Sequence, residues 1–198
     1  MKPIIGIIVR EDENNKKYAL LNMEVCHSII KCGGIPIGIV LNNENIDNII
    51  NICDGFILPG GDYFSDFDSV LAKKLMIINK PLLGICLGMQ EIGNRNIQKT
   101  LNNHKSFLKY VHYINIVPNT LLYKILKEKR ILVNSRHYDC LKGANLKISA
   151  VSDDGIIEAI EDNKHKFYLG VQWHPETLID TDINSYRLFK YFIDICKE

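Results

Sequence analysis

The sequence predicts an α/β protein: three layers, with a mostly parallel central sheet, helices on both faces and a strand-rich second half. Two observations carry that prediction. Through the first half, short β-rich apolar runs alternate with amphipathic segments, the βαβ rhythm of a parallel sheet with crossover helices. Beyond residue 110, strand-like runs follow one another with few long helices between them. Residues 4–9, Ile4-Ile5-Gly6-Ile7-Ile8-Val9, read as a first strand, apolar throughout as a strand covered on both faces must be. The amphipathic stretch 17–32 reads as a helix, 35–40 as a second strand, 44–52 as a helix and 55–58 as a third strand. Residues 66–79 read as a helix, the apolar run 82–85 as a strand and 88–97 as a helix. In the second half, strands are expected at 110–117, 131–134, 146–151, 156–161 and 167–173, with helices at 119–128 and 182–196. The turn Ser152-Asp153-Asp154-Gly155 joins two of these strands as a hairpin. There is no internal repeat, low-complexity segment or linker, so residues 1–198 are expected to form one domain with one core.

Composition excludes several classes. Lys plus Arg number 24 against 23 Asp plus Glu, so no net field recruits nucleic acid or an acidic membrane, and small neutral or zwitterionic substrates fit better. Only Met1, Lys2 and Pro3 precede the first strand, and no apolar stretch reaches the length of a membrane span. No export signal is visible. The six cysteines lack a C-x-x-C pair and lie mostly within apolar patterns, as reduced thiols of a cytoplasmic protein would. Histidines 27, 104, 112 and 165 show no H-E-x-x-H or H-x-H spacing and no cysteine partners, so no metal is expected. No nucleotide fingerprint appears, and no Gly-Lys-Ser/Thr follows Pro59-Gly60-Gly61 to make a P-loop. Cofactors are expected to be none, with the chemistry carried by side chains alone.

The chemistry centres on Gly84-Ile85-Cys86-Leu87-Gly88, a cysteine between two glycines directly after the apolar run Pro81-Leu82-Leu83. That is the form of a nucleophile elbow, in which a tight strand-to-helix turn projects its central residue and flanking glycines give the backbone room. A helix starting at Leu87 or Gly88 would aim its positive end at the sulfur. Taken alone the motif is weak, since a cysteine among small residues also packs as a buried hydrophobe. Near the other end, the strand-like Tyr168-Leu169-Gly170-Val171-Gln172-Trp173 runs into His174-Pro175-Glu176. A histidine at a strand's end can meet the thiol, and Glu176 can accept its other N–H and fix the tautomer. In an open parallel sheet ligands collect at the carboxyl ends of the strands, where Gly60-Gly61 and Cys86 both fall. The N–H groups of Gly61 and Leu87 are the expected oxyanion donors.

Because the acid follows the histidine by two positions, the pairing resembles the class I glutamine amidotransferase superfamily rather than an α/β-hydrolase. Within it the chain is most similar to the γ-glutamyl-hydrolase-like branch. The resemblance runs in order through Lys2-Pro3-Ile4-Ile5-Gly6-Ile7, Gly33-Gly34-Ile35-Pro36, Asp54 to Asp62, Lys80 to Gln90, Val133-Asn134-Ser135-Arg136-His137, Asp154 to Ile160 and Gly170 to Glu176. It implies that Gln90, one helical turn after Cys86, holds a glutamyl group together with Gly60. It also implies that the loop Asn134-Ser135-Arg136-His137-Tyr138 closes over the substrate's amino-acid end, with Arg136 suited to a carboxylate. Arg10, at the end of the first strand, is a similar candidate. The expected reaction is hydrolysis of a γ-glutamyl amide to glutamate and free amine through a Cys86 thioester. One alternative is a glutaminase subunit passing ammonia to a synthase partner, another a catalytically inactive regulatory relative. Leu87 stands where the hydrolase branch often has Arg, and the chain is shorter than most such hydrolases, mainly after Gly61-Asp62 and around 93–110. A homo-oligomer is compatible with the sequence, which carries no signal for it.

Overall fold

The computed structural model describes residues 1–12, 14–15, 17–40, 44–100 and 104–197. In chain order its elements are β1 (Ile4–Ile8), β2 (Arg10–Glu11), β3 (Ala19–Leu20), α1 (Met23–Lys31), β4 (Ile35–Ile39), α2 (Ile46–Ile52), β5 (Gly55–Leu58), α3 (Asp66–Ile77), β6 (Leu82–Ile85) and α4 (Leu87–Ile92). There follow β7 (Ile97–Lys99), β8 (His112–Ile116), α5 (Leu121–Leu126), β9 (Arg130–Val133), β10 (Asp139–Leu141), β11 (Lys147–Ser152), β12 (Ile157–Glu161), β13 (Tyr168–Val171), a 3-10 turn (Pro175–Leu178) and α6 (Ile183–Ile195).

One nine-stranded sheet in the order β4-β1-β5-β6-β13-β12-β11-β8-β9 runs through the fold. Its first five strands pair in parallel, and the remaining four join them antiparallel, with β11 and β12 linked by the Ser152–Gly155 turn. The expected fold is therefore present, with the parallel strands in the first half plus β13 and the antiparallel ones in the strand-rich second half.

Strands β1, β5, β6 and β13 are apolar along their length because both of their faces are covered, whereas β4, at the sheet edge, leaves Ile35 and Gly38 exposed. Ile5, Ile7, Ile57, Leu83, Ile85, Leu169 and Val171 face one core with α1, α5 and α6. Phe56, Leu58, Leu82 and Tyr168 face the other with α2, α3 and α4. All six cysteines are unpaired and buried. Among the described residues no helix is long and apolar enough to cross a membrane.

Three local expectations need correction. Residues 17–22 are not helical: Ala19–Leu20 pairs with Arg10–Glu11, and α1 starts only after Asn22, whose side chain accepts hydrogen bonds from the N–H groups of Glu24 and Val25. The helix after Cys86 stops at Ile92 rather than 97, because Asn94 and Arg95 adopt left-handed φ of 65° and 55°. The chain then forms β7, which pairs with β10 in a small separate sheet that periodicity did not reveal.

Candidate active site

Topology gathers the site. Strands β5, β6 and β13 are adjacent and parallel, so their carboxyl ends open at one edge of the sheet. Pro59-Gly60-Gly61 leaves β5 there, Cys86 leaves β6, and Gln172-Trp173-His174 leaves β13.

Cys86 stands between β6 and α4 with φ 53° and ψ −106°. For a residue with a Cβ this conformation costs on the order of 1–3 kcal/mol, and the surroundings must impose it. The Cys86 N–H donates to the Val171 carbonyl at 2.8 Å, and its own carbonyl accepts from the Gln90 N–H at 3.1 Å. The glycines permit the turn by close approach. A Cβ on Gly88 would lie 2.0 Å from the Leu58 carbonyl oxygen, and one on Gly84 2.6 Å from the Gly88 carbonyl oxygen. The sequence-predicted elbow is thus formed, with 8% of the Cys86 surface left open.

His174 Nδ1 lies 2.7 Å from Glu176 Oε1, across the start of the 3-10 turn. Glu176 is buried, and its other oxygen has no hydrogen-bond partner. Burial works against a charged imidazole, but the charges of Glu176 and Cys86 and hydrogen bonding to both outweigh it, holding the His174 pKa well above its ordinary value. The shift favours the charged imidazole, which stands between the Glu176 carboxylate on one side and the Cys86 sulfur on the other.

The Gly60-Gly61 loop crosses directly over this pair. A Cβ on Gly60 would come within 2.8 Å of His174 Cε1 and 3.6 Å of Cys86 Cβ. Gly61 packs on Leu87 and Arg10, whose side chains would lie 3.2 and 3.3 Å from an added Cβ. Arg10 holds the loop from behind, donating to the Pro59 carbonyl at 2.8 Å and to the buried carboxylate of Asp68. Leu87 is the first residue of α4, so its N–H has no intrahelical acceptor.

The remaining sequence-predicted residues divide. Gln90 is buried and donates to the Asp139 carbonyl at 2.8 Å and to Gln172 Oε1 at 3.1 Å. Ser135 donates to the His104 carbonyl, and His137 is buried with Nδ1 3.0 Å from the Asp139 carbonyl oxygen. Burial and the neighbouring His104 push the His137 pKa down to about 3. Both side chains thus face the interior. Arg136 and Tyr138 are exposed, with the Lys105 ammonium 4.4 Å from the Tyr138 ring.

The sequence left Gln172 unassigned and gave Asn134 to the substrate loop, yet both hold other residues in place. Gln172 is fully buried and donates from Nε2 to Cys86 Sγ at 3.5 Å, while its oxygen takes the Gln90 bond. Its signal was an amide interrupting the apolar run 168–173. Asn134 grips His174 on both sides of its backbone: Oδ1 accepts from the His174 N–H at 2.8 Å, and Nδ2 donates to the His174 carbonyl at 2.8 Å and to Thr177 Oγ1 at 2.9 Å. It belongs to the block read as a substrate loop.

Known proteins resemble this chain over nearly its whole length. Over an alignment of 277 positions the chain is 30% identical to a glutamine amidotransferase-like protein of Rickettsia prowazekii, covering 99% of this chain and 98% of that one. The alignment is longer than the 198-residue chain, so that relative carries insertions which this protein lacks. It is 26% identical to the γ-glutamyl-γ-aminobutyrate hydrolase PuuD of Escherichia coli, over 98% of this chain and 94% of that protein. A crystal structure described as a GMP synthase subunit of Thermoplasma acidophilum superposes with a TM-score of 0.75 at 19% identity, covering 98% of this chain and 94% of that one, a likeness of fold. The pattern of the peptidase C26 family matches residues 65–176, more than half of the sequence. The chain belongs to the peptidase C26 family, within the class I glutamine amidotransferase-like fold.

Proposed function

We propose that this protein is a cysteine-dependent hydrolase of γ-glutamyl amides, releasing glutamate and a free amine in the cytoplasm. The observation that carries the reading is the elbow conformation of Cys86 beside a His174–Glu176 pair that favours the charged imidazole. In the proposed mechanism the Cys86 sulfur attacks the γ-carbonyl carbon, and the N–H groups of Gly61 and Leu87 stabilise the oxyanion. His174 donates its proton to the leaving nitrogen as the C–N bond breaks, leaving a γ-glutamyl thioester. The now neutral imidazole takes a proton from water as the water oxygen attacks the thioester, and collapse of the tetrahedral intermediate breaks the C–S bond, releasing glutamate and returning the Cys86 sulfur as thiolate beside the re-protonated His174. Glu176 orients the imidazole throughout and stabilises its charge whenever it is protonated. Exposed Arg136 is assigned to the substrate α-carboxylate, with Tyr138 beside it.

The likeness to PuuD supports an alkylamine leaving group. A second reading, a glutaminase subunit that serves a synthase, is favoured by one residue. Leu87 presents an apolar side chain against Gly61 at the loop where the hydrolase branch often carries Arg.

The test incubates the purified chain alone with glutamine and with a panel of γ-glutamyl amines, γ-glutamyl-γ-aminobutyrate among them, and measures glutamate release. Turnover of one alkyl amide far above glutamine, abolished in Cys86→Ala, supports the hydrolase. Glutamine turnover that appears only after a synthase is added supports the second reading. A Cys86→Ala variant as active as its parent sinks both.

A further inference from the structure

Away from the Cys86 sulfur, three histidines and a glutamate from four separate segments converge in the interior. Glu158 comes from β12, His112 from the start of β8, His137 from the loop after β9, and His104 from the stretch before β8. Glu158 is fully buried, and His104 and His137 are 3% and 4% exposed. Glu158 Oε1 lies 3.1 Å from His112 Nε2, 3.7 Å from His104 Nδ1 and 3.9 Å from His137 Nε2. Proximity has not produced hydrogen bonds. Both Glu158 oxygens, His112 Nε2 and His137 Nε2 are buried without a hydrogen-bond partner, which is costly in an interior unless something else joins them.

The outer nitrogens explain the deficit. His104 Nε2 lies 2.9 Å from Asp154 Oδ2, and His137 Nδ1 lies 3.0 Å from the Asp139 carbonyl oxygen. These oxygens accept, so each outer nitrogen carries the proton; the inner His137 Nε2 turns a bare lone pair toward Glu158, and the inner His104 Nδ1, 3.7 Å from Glu158 Oε1, also has the Ser135 hydroxyl at 3.4 Å. Lone pairs facing a carboxylate call for a cation. A histidine whose far N–H is held by a carboxylate or a carbonyl is also the usual arrangement of a metal ligand. Around a tetrahedral ion with bonds of about 2.0–2.1 Å, ligand atoms stand roughly 3.3–3.4 Å apart. The three measured separations bracket that spacing.

His104, His137 and Glu158 offer ligand atoms that all lie within 4.8 Å of one another. We propose that His104 Nδ1, His137 Nε2 and one oxygen of Glu158 hold a zinc ion, and that the His112 ring, whose Nε2 lies 3.1 Å from Glu158, shifts in as the fourth ligand of a tetrahedron. Three imidazoles and one carboxylate suit zinc better than magnesium or calcium, which take mostly oxygen ligands. Four protein ligands leave no open position, so the role is structural. The His112 side chain, 18% exposed, marks the entry path. The ion would tie the stretch before β8, β8 itself, β12 and the loop after β9 together. His137 stands three residues beyond Asn134, so the zinc would also stiffen the support of His174.

The full chain carrying Cys86→Ala, so that the elbow thiol cannot compete, is stripped with chelator and titrated with zinc sulfate. Metal content is measured after desalting, and Tm is followed. The expected result is about one zinc retained per chain, with Tm raised by roughly 5–10 °C at a hundredfold excess over Kd. Cobalt in place of zinc should show tetrahedral d–d bands without thiolate charge transfer. Glu158→Gln and His112→Asn, each checked for an unchanged far-UV circular dichroism spectrum, should weaken zinc binding at least tenfold. Retention of less than about a tenth of an equivalent overturns the proposal. Thiolate bands in the cobalt spectrum, or a folded Glu158→Gln that binds like its parent, also overturn it.

Discussion

At the scale of single residues, the site depends on one proton. His174 keeps it because Glu176 and Cys86 together outweigh the cost of burial, so Glu176→Gln should release it at lower pH. The expected outcome is a kcat lower by about 10²–10⁴-fold and an alkaline limb of kcat/KM moved toward neutrality. An unmoved limb would remove Glu176 from the mechanism. The same shift bears on stability. A raised folded-state pKa contributes fully below the unfolded value of about 6.5 and is lost as pH rises through the folded one. Denaturant titrations should therefore show the parent losing more stability than Glu176→Gln on the alkaline side of pH 6.5. Gly60 tests geometry rather than charge. Its missing Cβ leaves the space taken by His174 Cε1, so Gly60→Ala should displace the imidazole and cut kcat by about 10²-fold while Tm changes little. A large fall in Tm with kcat intact would assign Gly60 to folding alone.

At the scale of elements, the decisive feature is a set of parallel strand ends. β5, β6 and β13 were legible in the sequence because a strand covered on both faces must be apolar throughout, and Phe56-Ile57-Leu58, Leu82-Leu83 and Tyr168 to Val171 meet that demand. Their turns were legible through Gly60-Gly61 and Gly84 with Gly88. What periodicity could not deliver were elements too short to show a period, the two-residue β2 and β3 and the three-residue β7 and β10. Side-chain direction in the loop after β9 was equally hidden, since Ser135 and His137 turn inward only because His104 and Glu158 arrive from elsewhere. Asn134 was the more consequential miss. It joins the end of β9 to the end of β13 through both backbone groups of His174, so Asn134→Ala should let that segment drift. An offset of about 1 Å can cost 10²-fold in rate. The expected signature is a fall in kcat of tenfold or more with KM and the circular dichroism spectrum unchanged. A fall confined to KM would return Asn134 to a substrate-binding role.

At the scale of the whole molecule, the two cores and the two halves of the sheet carry different duties. The parallel half places the reacting groups, whereas α5 packs on α6 and on β11 of the antiparallel half. Leu83 and Leu122 are both fully buried in the same core, yet they lie at opposite ends of this division. Leu83 pairs with Ile57 on one side and Leu169 on the other, two residues before the elbow's own Ile85. A cavity there would loosen the strand that fixes the φ of Cys86. Leu122, the second residue of α5, donates its N–H to Glu161 of β12 in the antiparallel half. Truncation to Ala should cost each about 2–5 kcal/mol of unfolding free energy. Activity should separate them: at a temperature where both variants remain folded, Leu122→Ala should keep the parent kcat within about twofold, and Leu83→Ala should lose about tenfold or more. Equal kcat values for the two at equal destabilisation would mean that the strained elbow is held by its own hydrogen bonds and glycines, independently of the packing beneath it.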